Sequence, residues 1–157
     1  MKIVLLLAAL GLAACGKSEP VSGGAARGRY DASRDAAADI KNALASVKST
    51  HKRVLIEAGG DWSAKCAAMH RFYDANPGLA AVRDANFVTV KVHVESGGPA
   101  PDAFKGYPAP PGYPHLYVLD ENGSLIQSQD MTEFEKGDAY DLEKFTFFLN
   151  EFAKQAP

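Results

Sequence analysis

Arg53-Val54-Leu55-Ile56-Glu57-Ala58-Gly59-Gly60-Asp61-Trp62-Ser63-Ala64-Lys65-Cys66-Ala67-Ala68-Met69-His70-Arg71 is the stretch on which the reading of this chain turns. Val54, Leu55 and Ile56 form a short apolar run that predicts a buried strand, and Gly59-Gly60 predicts a turn. A helix then opens at Trp62-Ser63 and carries Cys66 in its first turn. Ser63 suits the N-cap, because its hydroxyl can accept from the unpaired N–H groups of that turn; it can alternatively hydrogen-bond the Cys66 sulfur. The same N–H groups, with the helix dipole, favour a thiolate. Cys66 is therefore a candidate reactive thiol, although a free cysteine is also commonly a small buried side chain.

Outward from this stretch, the other segments read as one α/β domain. Ala36, Ile40, Ala43, Leu44 and Val47 recur at three- and four-residue spacing, predicting a helix from Ser33 to about Ser49 with Ser33 as its cap. The Cys66 helix runs to about Asp74, and Pro77 begins a second short helix to about Asp84. From Phe87 to Val94 the valines alternate with Thr89, Lys91 and His93, the pattern of a half-covered strand near a sheet edge. Two strands joined through helical residues imply a right-handed crossover and parallel pairing. Residues 95–113 are rich in Gly and Pro, with one helical turn near Asp102. His115–Leu119 and Ser124–Gln127 then flank Asn122-Gly123, a hairpin signal. Asp141 can cap a last helix whose stripe is Leu142, Phe145, Phe148, Leu149 and Phe152.

The chain has 157 residues and a formal charge of −2, which gives no electrostatic case for nucleic acid. Met1-Lys2 and the apolar run Ile3 to Leu12 have the charge and length of a secretory signal. Leu12-Ala13-Ala14-Cys15 resembles the lipobox of bacterial lipoproteins, in which cleavage precedes a cysteine that is then acylated. That resemblance implies a signal peptide over 1–14, a flexible tether over 15–29 from lipidated Cys15, and a domain over 30–157. It also places the domain on the periplasmic side of a bacterial membrane, the outer membrane in preference to the inner. The tether is small and polar and spans on the order of 20 Å. Cys15 and Cys66 are the only cysteines, so lipidation leaves Cys66 without an internal disulfide partner.

Three local features resemble the thioredoxin-like superfamily over roughly Tyr30 to Phe152. Gly60-Asp61-Trp62-Ser63-Ala64-Lys65-Cys66 stands where that family has Trp before Cys-x-x-Cys. Gly112-Tyr113-Pro114-His115-Leu116 stands at its cis-proline loop, and Val118-Leu119-Asp120-Glu121-Asn122-Gly123 at the hairpin that follows. The resemblance implies a central mixed sheet of about four strands with helices on both faces. It further implies that Pro114 is cis and that Trp62, Tyr113 and Pro114 hold extended peptide beside the sulfur. Glu57 matches a buried acid that carries protons for the resolving cysteine; an outward glutamate paired with Lys or Arg is the other reading. The departure is Ser63 at the first cysteine position. A hydroxyl has no accessible disulfide state, so two-cysteine turnover is excluded.

Several functions remain compatible with the residues. The resemblance implies thiol–disulfide chemistry through one thiol, with a thiol- or disulfide-bearing periplasmic protein or peptide as partner, the membrane reached through the lipid, and no cofactor. A non-catalytic binding module would keep the fold without the chemistry. Cys66 and His70, one turn apart, with His115 after Pro114, form a possible soft-metal set for copper, while His51 and His93 join no constellation. Ser63-x-x-Cys66 also half-matches the peroxiredoxin pattern, but Gly59 stands where that pattern has proline.

Overall fold

The computed structural model describes residues 29–154, so the expected signal peptide, Cys15 and nearly all of the tether lie outside the described residues. Strand β1, Arg53–Gly59, is an interior strand whose two faces feed both layers. It pairs in parallel with β2, Phe87–His93, and antiparallel with β3, His115–Leu119. Strand β3 continues into β4, Leu125–Asp130, giving the order β2-β1-β3-β4. The parallel pair follows from the helical crossover between β1 and β2, and the antiparallel pairing of β3 with β4 from the short Asp120–Ser124 turn. In that turn Asp120 accepts from the N–H groups of Asn122 and Ser124, both at 2.8 Å. Gly123 supplies the left-handed φ of 90° that closes it.

Because side chains alternate along a strand, β1 feeds two separate cores. Val54, Ile56 and Ala58 pack with Ile40, Ala43 and Val47 of α1, Ala36–Val47. Leu55 packs on the opposite face with Met69 and Tyr73 of α2, Ala64–Ala75, and with Leu79 of α3, Pro77–Asn86. That core is completed by Phe145, Phe148 and Leu149 of α4, Leu142–Glu151, which Asp141 caps. Helices cover both faces of a mixed four-stranded sheet, as the sequence predicts.

Local differences from the sequence reading each have a physical cause. Helix α1 is capped by Asp35, whose carboxylate accepts from the N–H groups of Ala37 and Ala38 at 2.9 and 3.1 Å. Ser33 instead bonds Asp31 in a turn before the helix. Strand β2 is an edge strand but is not half-covered: Thr89 is buried on its polar face, because α2 and α3 lie over that side. Leu142 stays exposed at the first residue of α4, one turn short of the core contact. Residues 135–140 fold back as a two-residue hairpin, β5 Glu135–Lys136 with β6 Ala139–Tyr140, too short for any periodicity to announce it.

Phe145 is fully buried and its ring meets those of Phe72, Tyr73, Phe134 and Tyr140 at centroid distances of 5.3–6.3 Å. Phe145→Ala is expected to cost about 3–5 kcal/mol, read as a lower midpoint in urea unfolding. Phe147→Ala, at a position 68% exposed, should leave the midpoint within about 0.5 kcal/mol of wild type.

Candidate functional site

The sheet and α2 bring together most of the residues singled out by sequence. Ser63 is the N-cap of α2: its Oγ accepts from Cys66 N at 3.3 Å and donates to the carbonyl of Tyr113 at the same distance. Its hydroxyl is thus engaged with backbone on both sides and leaves the sulfur to other neighbours. The Tyr113–Pro114 bond is cis, and the Ser63 hydrogen bond to the Tyr113 carbonyl ties the Pro114 loop to the start of the Cys66 helix. Trp62 is 46% exposed, yet its Nε1 donates to the carbonyl of Val94 at 2.7 Å and its ring meets Tyr113 edge-on at 6.1 Å. Trp62, Ser63 and Tyr113–Pro114 consequently form one continuous ledge over the first turn of α2.

Cys66 itself is fully buried beneath that ledge. Its position depends on Gly59, the last residue of β1. A Cβ at Gly59 would lie 2.5 Å from Cys66 Sγ and 3.0 Å from Tyr30 Oη, closer than atoms can approach. The missing side chain is what admits the sulfur. Glu57 lies two residues earlier on the same face of β1, about 6–7 Å along the strand from Gly59.

Glu57 has no exposed surface, and its surroundings combine the two readings open to the sequence: it is buried and it is paired. Arg83 Nη1 is 3.6 Å from Oε1, and Lys91 Nζ is 4.0 Å from Oε2. These are charge contacts longer than hydrogen bonds, and neither carboxyl oxygen has a hydrogen-bond partner among the described residues. Burial raises the carboxyl pKa above the usual carboxylate range, and Lys91 and Arg83 oppose that rise. Arg83 is 2% exposed, stacks on the Tyr73 ring at 4.2 Å and reaches Asp84 at 2.9 Å. A cleft of about 400 Å³ lined by His70, Tyr73, Arg83 and Lys91 opens beside this group.

His70 and His115 are separated by the sheet. His70 stacks on Tyr30 with centroids 5.4 Å apart, and its Nε2 lies 3.0 Å from Lys91 Nζ. Burial, reinforced by Lys91, lowers its pKa to about 4, so the ring is neutral and accepts from the ammonium. His115 instead shares the α1 face with Tyr117, at 4.7 Å between rings, and its Nε2 is 2.8 Å from Ser128 Oγ. Cys66, His70 and His115 do not converge, and no group of three or more possible ligands stands together among the described residues.

Sequence reasoning passed over Tyr30, Asp61, Arg83 and Lys91 as members of the site. Lys91 had a usable signal: it lies on the polar face of β2, directly opposite Glu57 in the parallel register. Tyr30 and Arg83 had none, since both arrive through tertiary packing.

Comparison with known proteins agrees with the fold. The sequence model of a family described as thioredoxin-like matches residues 35–121, more than half of the chain, and the chain belongs to that family. No curated protein matches. A disulphide isomerase from Xylella fastidiosa Temecula1 superposes with a TM-score of 0.65 at 24% identity, covering 78% of this chain and 94% of its own. The oxidised C-terminal domain of DsbD from Neisseria meningitidis superposes with a TM-score of 0.58 at 18% identity, covering 80% and 99%. Its reduced form gives 0.54 at 20%, covering 73% and 95%. At these identities the likeness is one of fold.

The lowered His70 pKa fixes the sign of a pH effect. The unfolded imidazole takes up a proton near pH 6.5 and the folded one only near 4, so stability is lost as pH falls across that window. In urea unfolding between pH 7.5 and 4.5, His70→Phe should lose less stability than wild type. Equal losses would show that His70 does not contribute.

Proposed function

We propose that the domain acts in thiol–disulfide chemistry through a single thiol, Cys66, by forming a mixed disulfide with a thiol- or disulfide-bearing protein or peptide. The observation that carries this reading is the convergence of Trp62, Ser63 and the Tyr113–Pro114 cis bond on the first turn of the Cys66 helix. Family membership and the fold shared with a disulphide isomerase support it. In the step itself, the Cys66 thiolate attacks one sulfur of the partner's disulfide. A new sulfur–sulfur bond forms, the old one breaks, and the departing thiolate takes a proton. Glu57 is the proton carrier in this reading, Trp62, Tyr113 and Pro114 the peptide shelf, and Ser63 the cap that holds the first turn. With no second thiol in the domain, release must come from a thiol outside it.

The expected signal peptide and lipidated Cys15 would place this chemistry on the periplasmic side of a bacterial membrane, and tethered to it. Complete burial of Cys66 is the specific observation favouring a second reading, a binding module that keeps the ledge and performs no exchange. Soft-metal binding has lost its third ligand, since His115 lies across the sheet.

Incubating the folded full chain with an oxidised peptide, followed by peptide mapping, separates the two readings. A disulfide adduct at Cys66, formed more slowly than in urea-denatured protein and released by dithiothreitol, supports exchange. An adduct confined to the denatured control would overturn it in favour of the binding module.

A further inference from the structure

The sulfur of Cys66 has a polar neighbour that no part of the proposed exchange uses. Tyr30, the second described residue, leaves the tether and enters the core, where it is 6% exposed. Its Oη is fully buried and has no hydrogen-bond partner among the described residues, a state that is destabilising when nothing compensates for it. The hydroxyl and the sulfur face the same point of β1: a Cβ on Gly59 would lie 2.5 Å from Cys66 Sγ and 3.0 Å from Tyr30 Oη. We propose that Tyr30 is a positioning residue for Cys66: its hydroxyl, unpartnered while the sulfur is a thiol, turns to donate to the sulfur once it is a thiolate, which Ser63 cannot do. Ser63 is unavailable because its own proton is given to the carbonyl of Tyr113.

Several contacts hold the tyrosine in place. Asp61, at the turn before α2, accepts from Arg29 Nε at 2.7 Å and from Tyr30 N at 3.3 Å, strapping this segment across the approach to the site. The ring stacks on His70, and Lys91 Nζ lies 5.8 Å from its centroid on the side of β2. Burial raises the Tyr30 pKa well above its ordinary value, and charge on Glu57 and on Cys66 raises it further. The phenol therefore remains protonated and available as a donor. The other titratable groups around the pair are Glu57 from β1, Tyr73 and His70 from α2, Arg83 from α3, Lys91 from β2 and Tyr140 from β6.

This inference rests on the reading of Cys66 as a functional thiol, yet it can be tested separately. In Tyr30→Phe, carbamidomethylation of Cys66 followed against pH by peptide mapping should have a higher midpoint than wild type. The thiolate fraction at neutral pH should fall about tenfold, the loss expected for one hydrogen bond to a charged group. An unchanged midpoint in a folded variant overturns the proposal even if wild type forms the peptide adduct. Conversely, a shifted midpoint with no peptide adduct in wild type overturns exchange and leaves the Tyr30 contact standing. Should Tyr30→Phe fail to fold, ¹³Cζ-tyrosine NMR of the wild type provides the second measurement. The Tyr30 resonance should move with the Cys66 titration and lose that step in Cys66→Ala; a resonance that titrates identically in both excludes the contact.

Discussion

A carboxyl group with no exposed surface sets the terms for this domain. Moving Glu57 out of water costs several kcal/mol if it is charged, and the protein meets that cost with cations brought from two different elements. The parallel register places Lys91 of β2 directly across from it, and α3 delivers Arg83, itself buried and stacked on Tyr73 of α2. Three elements are thereby fixed around one side chain of β1. The contacts of 3.6 and 4.0 Å are longer than hydrogen bonds, so the pairing softens the carboxyl's desolvation without removing it, and its pKa stays raised.

The sulfur of α2 packs on the same face of the same strand. Two residues beyond Glu57, Gly59 has no side chain, and Cys66 occupies the space from above while Tyr30 enters from the side. Acid, thiol and phenol are thus aligned by the two-residue period of β1. The ledge of Trp62, Ser63 and Tyr113–Pro114 closes over them. What the arrangement lacks for cyclic turnover is a sulfur at Ser63, whose hydroxyl is instead a bridge between α2 and the proline loop. The serine ties the first turn of α2 to the proline loop at the position where the resemblance places a first thiol.

Much of this was legible in the sequence because it is local. The strand–Gly-Gly–Trp-x-x-x-Cys order, the Asn122-Gly123 hairpin, the proline before β3 and the cap at Asp141 each declare themselves within a few residues. The alternation from Phe87 to Val94 correctly places β2 at the edge, but it cannot reveal that α2 and α3 roof its polar face. Arg83 reads as a surface residue of a short helix and is 2% exposed, because the demand that buries it comes from Glu57, twenty-six residues earlier. Tyr30 follows a small, polar stretch of sequence with nothing local to mark it. His115 illustrates the converse error: nearness to Pro114 in sequence suggests nearness to Cys66, whereas strand alternation turns its ring to the α1 face.

The central claim is that the site has the geometry of thiol–disulfide exchange and lacks only the first thiol. Restoring that thiol with Ser63→Cys tests it most directly, by following dithiothreitol-dependent reduction of insulin. The variant should turn over where wild type does not, with a disulfide between positions 63 and 66 in its oxidised form. A folded variant that forms this disulfide and still fails to reduce insulin would contradict the claim and leave a binding surface in its place.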